Sequence, residues 1–120
     1  MSPSEWKQLL DRILETFTIR YDDFSAEAYR PYRQRRIVGF VRFERREILF
    51  DQDIEGSTEE VTWAHEALSI HYYHFLGIIR HDDEVEREAR SLCKDAAYVE
   101  ILRKYIQKAR TGAIQDNPRK

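Results

Sequence analysis

The chain has 120 residues, enough for one domain that buries roughly two-thirds of the surface its unfolded form exposes. A hydrophobic fraction of 42% beside 35% charged residues, with only four glycines and three prolines, argues against disorder and for long regular elements. A net charge of −2 gives no overall pull toward nucleic acid or an anionic membrane, and the single Cys93 excludes an internal disulfide and a four-cysteine zinc cage.

In chain order, the opening Met1 to Trp6 lacks a basic segment followed by an apolar run. No stretch approaches the roughly 20 apolar residues of a membrane helix, so a cytoplasmic protein without a membrane partner is expected. Ser2, Pro3 and Glu5 form a helix-starting pattern, a capping box with proline where its missing N–H costs nothing. Trp6, Leu9, Leu10, Ile13, Leu14 and Phe17 follow at helical spacing on one face. From Tyr21 to Gln34 the pattern fades into a connector with one helical turn at most.

Residues 36–43 and 47–50 are rich in β-branched and aromatic side chains, with polar Glu44-Arg45-Arg46 between them, and so predict an antiparallel hairpin. An acidic loop runs from Asp51 to Gly56. Ser57-Thr58-Glu59-Glu60 reads as a second capping box, opening a helix to about Leu76 that Gly77 ends. Its apolar residues cover more than one side, which places it centrally. Asp82-Asp83-Glu84 opens a third long helix with favourable negative charge. Its apolar residues, from Val85 to Ile106, keep three-four spacing as far as Gly112. The predicted architecture is α+β: three main helices and a short antiparallel sheet in one domain over 1–112, with a flexible tail over 113–120. Cys93 reads as a small packing residue in a reducing compartment.

The segment that bears on chemistry is Val61-Thr62-Trp63-Ala64-His65-Glu66-Ala67-Leu68-Ser69-Ile70-His71. Zinc peptidases place His-Glu-x-x-His on a helix because residues four apart share a face, so both imidazoles reach one metal. The glutamate between them takes a proton from the metal-bound water. His65-Glu66 meets half of that demand, but Ser69 occupies the second histidine's position. His71 and His74 lie roughly 240° and 180° around an ideal helix from His65, so neither repairs the site on that face. They form an i, i+3 pair that reads as a solvent-facing or interface pair, or as a separate metal site.

The order hairpin, acidic loop, His-Glu helix and then Glu86-Arg87-Glu88-Ala89 opening another helix resembles the ImmA/IrrE group of small metallopeptidases, over roughly residues 37 to 95. That resemblance implies a zincin-like domain in which His65 and Glu86 are zinc ligands and Glu66 is the general base. The alanine of the Glu-x-x-Ala pattern, here Ala89, lets the two helices approach. With Ser69 in place of a histidine, the implied protein is a degenerate metallopeptidase, weak or inactive in catalysis, that binds a protein or peptide in the former substrate cleft. The plainer reading of the same residues is a partly buried histidine beside a surface carboxylate, with Glu86 one charge of an acidic first turn.

A second surface stands out. Residues 30–46 carry seven arginines against the single acid Glu44, interleaved with the aromatics Tyr29, Tyr32, Phe40 and Phe43. This composition suits an interaction module that touches nucleic acid. The competing expectation pairs these arginines with the acidic loop or the third helix.

Overall fold

The computed structural model describes residues 1–112, so the tail over 113–120 lies outside the described residues. The expected α+β architecture is present, with the helices more divided and the sheet more mixed than the sequence suggests.

Helix α1 (Pro3–Thr16) forms as its sequence requires. The Ser2 hydroxyl accepts from the Glu5 amide at 3.1 Å while the Glu5 carboxylate accepts from the Ser2 amide at 2.7 Å. Trp6, Leu9, Leu10 and Ile13 are buried along its inner face. Strand β1 (Thr18–Asp22) follows at once, then a 3₁₀ turn at Glu27–Tyr29 and the short helix α2 (Arg30–Gln34). Strands β2 (Gly39–Arg42) and β3 (Glu47–Asp51) make the expected antiparallel hairpin, closed by a 3₁₀ turn at Phe43–Arg45.

The sheet has the order β1-β3-β2, with β1 parallel to the central β3. It is therefore mixed, not wholly antiparallel, because β1 pairs on the side of β3 that the hairpin leaves free. One face of the sheet, with Ile19, Ile48 and Phe50, joins the main core of α1, α3, α4 and α5. The other face carries Leu49 under a smaller cluster of Phe24 and Tyr29, with Tyr32 and Phe40 packed against it. β2 is an edge strand.

Helix α3 (Gly56–Ser69) is central, with Trp63, Ala64, Ala67 and Leu68 buried. No side-chain cap forms at its start, where Gly56 adopts a φ of 63° that suits glycine. The carboxylates of the expected capping box serve tertiary contacts instead: Glu60 pairs with Arg103 at 2.6 Å and Glu59 with Arg110 at 2.8 Å. α3 continues into a wider π-helical stretch, Ile70–Phe75, closed by the Leu76 amide donating to the His71 carbonyl at 3.0 Å.

The third long helix is two. α4 (Asp82–Leu92) stops and α5 (Ala96–Arg110) starts afresh, with Asp95 accepting from the Ala97 amide at 3.0 Å as its cap. The apolar spacing runs through the break, which hid it. No helix among the described residues is long and apolar enough to cross a membrane.

Candidate functional site

His65 and Glu86 stand on different helices, α3 and α4, whose packing leaves Ala64 and Ala89 with no exposed surface. Residues that small let the two backbones approach, and the structure brings the two side chains together. His65 Nδ1 lies 2.8 Å from Glu86 Oε1. A carboxylate only accepts, so the ring nitrogen is the donor and Nε2 is the nitrogen left over. The other oxygen, Oε2, takes Arg90 Nη2 at 2.9 Å. Both carboxylate oxygens are thus held by cationic or N–H donors.

The Ser69 hydroxyl, one turn along the His65 side, donates to the His65 carbonyl at 2.9 Å, a bond back to its own helix. Among the described residues no group of three or more His, Cys, Asp or Glu side chains is placed to hold a metal ion. Catalytic zinc is held by three protein ligands and keeps an open fourth position. Here two candidate donors are bonded to each other and the third is a hydroxyl turned to the backbone. The residues present do not fit zinc.

Glu66 is half-buried and lines the same groove, and among the described residues it has no protein hydrogen-bond partner. Burial, and then the carboxylates of Asp82 and Glu86, push its pKa up to about 8. At neutral pH it is mostly a neutral acid, the opposite of the ionised base that water activation needs.

The other candidates separate from this site. The His74 ring packs edge-on to Phe17 at 5.2 Å, and to Phe75 at the same distance, as part of the packing between α1 and the π-helical stretch. His71 stacks edge-on to Tyr72 and lines a different groove beside α1. Both are half-buried aromatic-packing residues, not solvent-facing ones, because the wider π turn rotates them inward. Cys93 packs against the core and burial pushes its thiol to about 11, which leaves it inert at neutral pH.

What the sequence did not reveal is the open edge of the sheet beside His65 and Glu66. Val38 pairs with Asp51 through the Asp51 amide, which donates to the Val38 carbonyl at 2.9 Å. Antiparallel alternation then turns the backbone N–H and C=O of Gly39 and Val41 away from β3; Gly39 is buried against α3 and Val41 only half-buried, so the accessible part of the edge is at Val41. Gly39 sets how close that edge lies to α3. A Cβ there would meet Thr62 Cγ2 at 2.6 Å and Phe50 Cδ1 at 2.9 Å, so only glycine fits.

The resulting groove has a cavity of about 420 Å³ lined by the β2 edge, His65, Glu66 and Ser69. Tyr73, Ile78 and Ile79 form its far lip, and Ile79 is 87% exposed. Arg80 is fastened there by Glu88, whose Oε1 accepts both Arg80 Nη1 and the Tyr72 hydroxyl at 2.8 Å.

The arginine-rich stretch behaves differently from either expectation. Arg42 pairs with Glu47 at 3.5 Å and Arg30 with Glu27 at 3.4 Å. Arg35, Arg36, Arg45 and Arg46 are exposed, with no carboxylate partner among the described residues. Of the acids expected to neutralise them, Glu59 and Glu60 are taken by Arg110 and Arg103 of α5, and Glu84, Glu86 and Glu88 by Arg80 and Arg90. The interleaved aromatics face inward: Tyr32 and Phe40 stack on each other at 4.1 Å, and Tyr29 stacks on Phe24 at 4.6 Å.

The arrangement defines a small α+β domain in which the edge strand β2 lies against a helix that carries the hydrogen-bonded His65. No protein-family model, curated protein or solved structure matches the chain.

Proposed function

We propose that the domain is a non-catalytic peptide-binding module, in which a metallopeptidase-like groove takes an extended segment along the edge of β2. The observation that carries this reading is the free edge of β2, which Gly39 holds close against Thr62 of α3 and which shares a groove with His65 and Glu66. An added strand gains main-chain hydrogen bonds from Val41, the half-buried residue whose N–H and C=O face away from β3, while the apolar lip of Tyr73, Ile78 and Ile79 receives side chains. The His65–Glu86–Arg90 chain ties α3 to α4 beneath the groove and spends the donors that hydrolysis requires.

Nucleic-acid binding through residues 30–46 is the weaker reading. Arg35, Arg36, Arg45 and Arg46 have no carboxylate partner among the described residues, but stacking on bases needs exposed ring faces and these rings are packed on one another.

The test has two arms. Random heptapeptides selected on the immobilised protein should shift the amide signals of Gly39 and Val41 and bind equally well with chelator present. Selected binders that move only signals outside the groove, or that need zinc, would sink the reading. In the second arm, Ser69→His should raise zinc affinity at least tenfold, since it supplies a third ligand on the His65 face. Stoichiometric zinc in the unmodified protein, lost in His65→Ala, would mean that the site is a working metal centre.

A further inference from the structure

The groove along β2 is longer than the cavity over Glu66, and its two ends differ in chemistry. A hollow of about 170 Å³ lined by Val38, Gly39, Thr62, His65 and Glu86 joins that cavity to a third, of about 580 Å³. The third hollow is lined by Arg36, Arg90 and Lys94 beside the first turn of α3. Arg90 is occupied by Glu86, and the Glu60 that also lines this end is occupied by Arg103. Arg36 and Lys94 are exposed and have no carboxylate partner among the described residues. At the opposite end, past Val41, the lining is Phe43, Tyr73, Ile78 and Ile79, with Asp82 and an Arg80 whose charge is already taken by Glu88.

The direction of β2 converts this asymmetry into a sequence order. β2 runs from Gly39, nearer the Arg36 end, to Arg42, beside the apolar end. Antiparallel pairing is the slightly more stable mode per residue. A strand added that way has its N-terminal part at Tyr73 and Ile78 and its C-terminal part at Arg36 and Lys94. Residues 36–43 are eight, seven steps from end to end, which a ligand of about seven residues at roughly 3.3 Å each comes close to matching.

We infer that the partner is an extended segment of about seven residues, apolar toward its N-terminal end and acidic toward its C-terminal end. This rests on the peptide-binding reading above and adds its polarity and charge. A second copy of this chain is a poorer occupant, because a β2-to-β2 pairing would bring the exposed Arg35, Arg36, Arg45 and Arg46 of two protomers together.

The experiment compares two synthetic peptides of one composition, acetyl-Val-Leu-Thr-Val-Thr-Glu-Glu and acetyl-Glu-Glu-Thr-Val-Thr-Leu-Val, by fluorescence anisotropy. The apolar-first peptide should bind at least tenfold tighter, and the difference should shrink as salt rises. The double variant Arg36→Asn/Lys94→Gln should lose at least fivefold for that peptide. Asparagine is chosen because Arg36 holds a φ of 57°, which asparagine tolerates. Equal binding of both orders, or no loss in the double variant, overturns the inference. If library-selected peptides still shift Gly39 and Val41, the underlying reading survives that result. Binding of a single-stranded oligonucleotide with no binding of either peptide overturns both.

Discussion

Glu59 and Glu66 lie on the same side of α3, seven residues and about two turns apart, and the fold treats them in opposite ways. Glu59 is 7% exposed, and its Oε2 is held by two donors. The Tyr21 hydroxyl donates to its Oε2 at 2.6 Å, Arg110 Nε donates to the same atom at 2.8 Å, and Trp63 Nε1 closes the chain by donating to the Tyr21 oxygen at 2.8 Å. Arg110 also lies over the Tyr21 ring at 4.4 Å and donates to the Ile54 carbonyl. Glu66 has no such donors. It faces Asp82 and Glu86, and its proton stays on to about pH 8. A buried carboxylate with donors is a fastening between elements; one without donors is a cost, and it sits where the groove is. The difference separates the half of α3 that holds the fold together from the half that forms the site.

The largest expected effect is on the fastening. Glu59→Ala leaves the half-buried Tyr21 hydroxyl, and Arg110, whose side chain is 35% exposed, without their acceptor, and should cost about 3–4 kcal/mol in urea unfolding. A loss below about 1 kcal/mol would mean that Glu59 is no more than a surface ion pair.

Glu66→Gln should act in the other direction and depend on pH. Its proton is held more tightly in the folded chain than in the unfolded one, where the ordinary value is 4.5. As pH rises from 4.5 to about 8 the unfolded chain binds fewer protons, so the native protein loses stability through that window. Glutamine carries no such cost. The variant should match the parent at pH 4 and exceed it by about 2–4 kcal/mol at pH 9, below the ceiling of roughly 5 kcal/mol that the full displacement sets. Parallel stability profiles for the two proteins would show that Glu66 titrates normally.

The same contrast explains what could be read from the sequence. That His65 and Glu86 meet was expected from the family resemblance and not from spacing, since they stand 21 residues apart on different helices. The α1 cap was legible because Ser2 and Glu5 need only each other. The Glu59 fastening was not, since its partners stand 38 and 51 residues away and come together only through the fold. β1 was missed because its period-two signal amounts to Ile19 and Tyr21 alone, and its parallel partner lies beyond a hairpin strand. The break before α5 had a signal in Asp95, a capping residue inside an apolar rhythm. The ring positions of His71 and His74 were misjudged because an ideal helical rotation does not hold through a π-helical stretch. The environment of Glu66 depends on burial and on charges from α4, neither of which spacing expresses.

Gly39→Ala tests whether the groove's closeness is what sets Glu66 apart. The added methyl must displace Thr62 Cγ2, which belongs to α3, or the ring of Phe50 beneath the sheet. Neither is the free end of a flexible side chain, so the least costly response is for β2 to lift from α3, at about 1–2 kcal/mol. Lifting β2 admits water to the carboxylate of Glu66 and weakens the main reason that its proton stays on. The stability slope between pH 4.5 and 8 should therefore flatten in Gly39→Ala, beyond the uniform loss at all pH values. The Glu59 chain lies two turns back toward α5 and should keep its full effect, so Glu59→Ala should cost the same in either background. An unchanged slope would show that the two acids differ through the charges of Asp82 and Glu86 alone, and that the strand above Glu66 is not what keeps it dry.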